Sequence, residues 1–478
     1  MKNLFLFISC LTFSSVFSQE IKGRVLDKSN NEPIPFANVL LSENYGVITN
    51  EEGFFVLQQK DFSNNTAIAF SCMGFIEQKI TLQDFNQGQT VYLEAANNLL
   101  PEIVLRDTNL SVDQVMKNMT DNLSKNHDIA NKRIQFFMRT KTSSQLQKAN
   151  FELDKAAGVT NKEIKEINEA IKSKELVKIQ PFTSFSEKVF NAYYGADSTK
   201  VSYLKHLNLT NPEKDNSSDG TQAKIMKRVF QNLESNNTFN IRSGIIPVAK
   251  KVKLSDFISK KNDTIKNDLN FENKGLLGKN RLASKEFIKE QKKYLYNKEG
   301  VAVINGVVCY HISFKSLKNK GDFAGNLYIN AEDFAIVRYD YKLIEGKLLN
   351  SVNLKFLLGI KMNINDRQEF GIFSKSTAGV YYPKYIKTTV SSYTYFDRSL
   401  SFSENNDDKK TRKELKIDLM QESNQTAINE LLAIEAEAIA SIPKFPKYII
   451  GDKQTKYDAR YWKNFNIIEA TEEVKNYE

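Results

Sequence analysis

Between residues 20 and 94 the apolar positions come in short runs: "IKGRVLD", "FANVLLS", "GVITN", "GFFVLQQ", "AIAFSCM", "QKITLQ" and "TVYLEA". Turn residues separate them at regular spacing, which predicts an all-β sandwich over 20–94. Pro33 and Pro35 suit a connection or an edge, because proline cannot donate to a central ladder. Gly53, after Asn50, Glu51 and Glu52 and just before an apolar run, marks a turn that needs positive φ. Gly74 in "SCMGF" marks a second turn or bulge.

The pattern then changes. Residues 95–109 read as a linker. Val112, Val115, Met116, Met119 and Leu123 follow at helical spacing, with Ser111 or 107–109 placed to cap. That helix opens a second domain over 110–478. Strand-like residues at 133–143 lead into a stretch at about 145–180 rich in Lys, Glu and Ala. Ile164, Ile167, Ile171 and Leu176 lie at helical spacing there, so a helical insertion is expected. A helix is also expected over 223–235. Alternation returns at 301: Val308, Tyr310, Ile312 and Phe314 share one strand face, and Val307, Cys309, His311 and Ser313 the other. Further strands to residue 420 continue an antiparallel meander. A Glu/Ala/Leu/Ile helix is expected at 425–441. Trp462, the sole tryptophan, and Phe465 are expected to anchor the C-terminal tail. The fold class is mainly β with α+β: a seven-stranded sandwich, then a larger domain with a curved antiparallel sheet and packed helices.

The blocks "GRVLD", "PIPFANVLL", "GVITNEEGFFVL", "IAFSCMGF" and "ITL" resemble the carboxypeptidase regulatory-like domain, a prealbumin-type sandwich, over residues 21 to about 93. The resemblance implies a structural and interaction module, common at the N-terminus of exported Gram-negative envelope proteins and without a peptidase's catalytic residues. Over roughly 295–400, "INGVVCYHISF" and "GNLYINAEDFAIVR" resemble the lipoprotein-carrier-like half-barrel, which implies a curved sheet wrapping a helix.

The first eighteen residues add an address. Lys2, an apolar "LFLFISCLTF" too short to span a bilayer, and the small residues of "SSVFSQE" form a signal peptide over 1–18, cut near Ser18 and Gln19. Lipidation at Cys10 is the rival reading, disfavoured by the apolar residues that follow it. No later segment predicts a membrane helix. The expected location is therefore the periplasm or the outer-membrane surface. The formal charge of +10 comes from dispersed lysines, which implies a solvated surface and no nucleic-acid partner; a pull toward anionic lipid or cell wall is the alternative. Cys72 and Cys309 read as buried thiols, too sparse for a disulfide framework.

Chemistry is hard to find. The three histidines, His127, His206 and His311, have no Glu at a ligand spacing, which disfavours a zinc carboxypeptidase. "GLLGKN" lacks a phosphate loop's spacing, and "DNSSDG" fails as a calcium loop because Met226 holds the twelfth position. No catalytic, cofactor or metal residue is assigned, and no cofactor is expected. The preferred reading is a non-enzymatic exported envelope protein that binds or scaffolds, with an envelope protein or the outer membrane as partner. The first alternative is a carrier of an acyl chain or other apolar ligand on a face formed by Tyr310, Ile312, Phe314 and Tyr328. Packing of that face on the 112–123 helix is the competing view. The second alternative is a hydrolase with a carboxylate-based site.

Overall fold

The structure is a computed structural model. It describes residues 20–477 except 43–44, 59–61, 97–109, 157–159, 173–180, 196–197, all but a few of 212–237, 254–276, 280, 407, 409–411 and 445–451. The expected signal peptide, most of the linker and the 223–235 helix lie outside the described residues. The chain divides into two compact units: 1–106 with 303–307 and 457–476, and the remainder.

The first unit has seven strands: β1 (Glu20–Asp27), β2 (Asn38–Ser42), β3 (Tyr45–Ile48), β4 (Phe54–Gln58), β5 (Ala67–Ser71), β6 (Gln78–Thr81) and β7 (Gln89–Leu93). They form two sheets, ordered β4-β1-β7 and β3-β2-β5-β6. Alternate residues of both sheets, among them Val25, Val39, Val47, Phe55, Leu57, Phe70 and Val91, fill one core. The polar residues of "ITNEEGFF" shape this fold. Thr49 Oγ1 accepts from Ala37 N at 2.9 Å and donates to Ile34 O at 2.7 Å, both buried. Asn50 Oδ1 accepts from Glu52 N at 3.0 Å and Phe54 N at 2.9 Å, mimicking a backbone turn. Gly53 has φ +79°, and a Cβ there would lie 2.6 Å from Val25 O. The tail joins the same unit: Trp462 is buried edge-on to Tyr461, and Asn466 Oδ1 accepts from Gln58 N at 2.8 Å. Phe465 is half-buried.

The second unit opens with α1 (Val112–Asn126), where Ser111 and Gln114 form a capping box. Its buried residues Val115, Met116, Met119 and Leu123 are those the spacing predicts. Next come β8 (Lys132–Ala156), α2 (Asn161–Lys172), β9 (Phe182–Tyr194), β10 (Thr199–Leu209), β11 (Thr238–Ser243), β12 (Ile246–Lys253), β13 (Tyr294–Ile304), β14 (Val307–Ser316), β15 (Phe323–Asn330) and β16 (Ile336–Leu343). The last strands are β17 (Leu349–Leu354), β18 (Ile360–Lys375), β19 (Tyr381–Glu404), β20 (Glu414–Ala438) and β21 (Asp452–Gln454). They build one curved 14-stranded sheet with the central path β13-β14-β15-β16-β18-β19-β20-β8-β9-β10-β21. Register shifts within the long pairs β18–β19 and β20–β8 mark bulges, which bend long strands.

Two expected helices are strands. Residues 145–156 belong to β8, so the helical insertion begins only at Asn161. Leu146, Phe151 and Leu153 are buried, and the alternation in "FELD" overrides the Lys and Ala around it. Residues 425–438 belong to β20, paired with β8 to Ala438 and on the other side with β19 up to Leu432. Two ladders outweigh the helix propensity of Ala, Glu and Leu there. Polar residues inside the sheet pair across strands: Arg139 lies between Glu430 and Glu187 on the flanking strands and meets Glu187 at 2.6 Å.

Gly53→Ala is expected to destabilise the first unit by roughly 2 kcal/mol or more, since L-residues disfavour left-handed backbone and the new methyl meets a carbonyl. Urea unfolding checks this; an unchanged midpoint would show that the turn tolerates a side chain.

Candidate functional site

The second unit contains a cavity of about 180 Å³. Its walls come from the end of α1, the residues that follow it, the 277–283 loop, and strands β9, β18 and β19.

The end of α1 fixes the first polar group. Asn126 Nδ2 donates to Asp333 O at 2.7 Å, which ties the last helical turn down. His127 caps the helix, its N–H reaching Leu123 O. Its ring meets Phe373 edge-on with centroids 4.9 Å apart and lies 5.6 Å from Tyr381. Ile336 N donates to His127 Nε2 at 3.2 Å. The neutral ring therefore carries its proton on Nδ1. Nδ1 is buried and has no hydrogen-bond partner among the described residues. Burial lowers the imidazole pKa to about 4, against the opposing charge of Asp333.

Tyr194 ends β9 and is fully buried, at 1% exposure. Its side chain lines the cavity. Burial pushes this phenol up, with Arg281 opposing.

The 277–283 wall is held by one carboxylate. Glu369 on β18 stands directly opposite Tyr341 of β16. Tyr339, two residues along the same strand face, donates to Glu369 Oε1 at 2.5 Å, and Tyr341 donates to Oε2 at 3.0 Å. Arg281 Nη2 lies 2.8 Å from Oε2, and Lys285 Nζ 2.6 Å from Oε1. Burial alone would raise the Glu369 pKa; Arg281 and Lys285 outweigh it and hold the carboxyl well below the usual range. Burial lowers Lys285 to about 8 despite Glu369. The loop is thus stitched to the sheet by charge. Apolar contact adds to this: Phe287 stacks on Phe314 at 4.4 Å and lies 5.1 Å from Tyr341. Asp128 and Lys279 pair at 3.1 Å in the lining, and Asp128 is exposed, as are Ser124 and Ala283.

The expected apolar face is divided. Tyr310, Ile312 and Phe314 lie opposite Ile329, Leu327 and Gly325 and share one face. Tyr328 lies opposite His311, on the other face, and stacks on it at 4.7 Å. The register decides this: one residue along a strand reverses the side. The three that share a face are buried, with Phe287 against Phe314 and Phe334 beside Tyr310. The histidines stay apart, His206 bonding Ser186 and His311 bonding Asn326. Among the described residues no group of three or more His, Cys, Asp or Glu could hold a metal. Cys309 is buried, its thiol pushed up to about 12 by burial, while Cys72 is half-buried; both are free of disulfides. Tyr194, Arg281 and Glu369 carried no signal in the sequence, because Lys285 and Glu369 lie 84 residues apart and only the fold joins them.

Residues 21–105 match the model of the CarboxypepD_reg-like domain. No curated protein matches the chain. Among solved structures, the chain is similar to one titled as an outer membrane lipoprotein-sorting protein domain from Vibrio parahaemolyticus: 5% identity, 69% of this chain, 94% of that chain, TM-score 0.22. A DUF1329 family protein from Desulfovibrio piger gives 9% identity, 64% and 90% coverage and TM-score 0.20. The Pseudomonas aeruginosa MucA/MucB complex gives 8% identity, 68% and 99% coverage and TM-score 0.16.

Glu369→Leu strands two buried cations and is expected to cost about 3–5 kcal/mol in urea unfolding, with faster amide exchange in 277–289. Unchanged stability would show that the cluster does not hold the loop. His127 gives a pH signature. Its folded pKa, about 4, lies below its ordinary 6.5, so the unfolded chain takes the proton first. Stability present above pH 6.5 is lost as pH falls toward 4, by up to roughly 3 kcal/mol. In His127→Gln that part of the pH dependence should vanish; identical profiles for variant and parent would refute the assignment.

Proposed function

We propose that this chain is an exported, non-enzymatic binding protein of the cell envelope, whose second unit holds a small acceptor-bearing ligand in the cavity beside α1. One observation carries the reading: His127 Nδ1–H borders the cavity, buried and without an acceptor among the described residues, with the Tyr194 side chain in the same wall. A buried donor left unmet costs about 1–3 kcal/mol, which a ligand oxygen restores. The Arg281 guanidinium in the same wall favours an anionic oxygen. Leu123, Ile129, Leu277, Leu282, Phe373 and Pro383 supply an apolar remainder.

Size narrows the ligand. A cavity of about 150 Å³ holds benzene. The volume of about 180 Å³ therefore suits a carboxylate on a small apolar body, the size of benzoate. A full lipid acyl chain exceeds it, so the carrier reading is narrowed to small apolar acids. Glu369, saturated by donors and held ionised, serves structure and has no proton to exchange. Export rests on the N-terminal apolar segment, and the envelope assignment on the resemblance of the first unit to modules of exported proteins. That unit acts as the scaffold.

Benzoate is expected to raise the thermal midpoint of the protein, and Tyr194→Phe, which removes a hydroxyl from the cavity wall, to weaken its binding about tenfold. Calorimetric titration reads the affinity. If no carboxylate of this size binds, or Tyr194→Phe binds it equally well, the reading fails.

A further inference from the structure

Two turns of the second unit carry apolar side chains that nothing described covers. One joins β11 to β12, where Ile245 is 85% exposed and Ile246 and Val248 are exposed beside it. The other joins β17 to β18, where Phe356 is 105% and Leu357 82% exposed. Exposed Val352, Leu354 and Met362 continue that second patch along the hairpin. Isolated exposed apolar residues are ordinary; contiguous ones on turn tips mark an interaction surface.

The sheet brings the two turns together. Strand β19 pairs with β18 up to Phe396 and with β11 from Leu400 onward, on the same edge. In the gap, Asp397 N donates to Gly359 O at 2.8 Å and Gly244 N donates to Ser399 O at 3.2 Å. Arg398 lies between them. Its Nε donates to Ser243 Oγ at 2.8 Å and its Nη1 to Leu358 O at 3.0 Å, and Nη2 reaches Ser243 O. One guanidinium thus holds both turns side by side. Gly359, at φ +59°, leaves no room for a Cβ, which would lie 2.0 Å from Asp397 O.

The charge that the two turn segments themselves carry has one sign, with Asp397, between the turns, accepting from the Tyr395 hydroxyl. Residues 242–253 contain Arg242, Lys250, Lys251 and Lys253 and no acidic residue; residues 346–362 contain Lys347, Lys355 and Lys361 and again none. Lys355 Nζ lies 4.0 Å from the Tyr395 ring centroid and Lys361 Nζ 5.5 Å from that of Tyr393, so aromatic rings and cations share the border. Apolar tips ringed by lysine and tyrosine are the composition of an interfacial membrane contact: the apolar groups enter below the headgroups and the cations meet anionic phosphates.

We propose that these paired turns are a membrane-docking surface that inserts Phe356, Leu357 and Ile245 into an anionic phospholipid bilayer. A protein partner would offer pockets to anchors clustered on a closely packed patch. Here the largest side chains stand on turn tips, and the surrounding charge matches a lipid surface. The proposal stands independently of what the cavity holds.

The test is vesicle co-sedimentation of the chain from Gln19 onward, the form left by the expected cleavage. Phosphatidylcholine vesicles are used with and without phosphatidylglycerol. Binding is expected to vesicles containing phosphatidylglycerol, to weaken as salt rises, and to fall about tenfold or more in Phe356→Asp with Leu357→Asp and in Ile245→Asp. Ile76→Asp, at an exposed apolar site in the first unit, should bind as the parent does. Matching thermal midpoints confirm that the variants fold. Absence of binding to either vesicle, or binding that the tip variants leave intact, overturns the proposal. Equal binding to vesicles without phosphatidylglycerol overturns its electrostatic part.

Discussion

A carboxylate without water must be surrounded by donors, and Glu369 is the point where the second unit meets that demand. Two cations from the 281–285 segment and two phenols from β16 converge on it. Removing water from a charge is expensive, so the geometry is kept only while all four partners stay. The segment that supplies the cations also walls the cavity. Charge burial at Glu369 and ligand-binding shape at the end of α1 are therefore one arrangement, the first holding the second in place.

Beside that satisfied group lies an unsatisfied one. His127 spends Nε2 on a backbone N–H and keeps Nδ1–H without an acceptor among the described residues. Folded proteins rarely leave such donors buried without reason. The contrast within the second unit, one carboxylate with four donors and one buried donor with no acceptor among the described residues, is what gives the cavity its chemical preference for an oxygen anion.

Much of the first unit was legible because its determinants are local. Asn50 accepts from Glu52 and Phe54 just ahead of it, and Gly53 turns the chain between them, so strand rhythm and turn chemistry expose the sandwich; Thr49, reaching back to Ile34 and Ala37, carried no such local signal. Helix α1 was legible for the same reason, its cap and its apolar stripe being contiguous. The long strands were only partly legible. β20 is written in Ala, Glu and Leu, and its state is set by neighbours on both sides. The face assigned to Tyr310, Ile312, Phe314 and Tyr328 failed at Tyr328, since alternation along one strand does not give the register against the next. The cavity was not legible at all. His127 was weighed for a metal site or a catalytic triad, and Tyr194, Arg281 and Glu369 acquire meaning only when distant segments meet.

The most direct measurement is native mass spectrometry of the protein purified without detergent from its own envelope fraction. The account predicts an adduct with the mass of a small organic acid, retained by the parent and lost in a protein carrying both Tyr194→Phe and His127→Gln. A bare mass from the parent, or an adduct that survives loss of both donors, would contradict it.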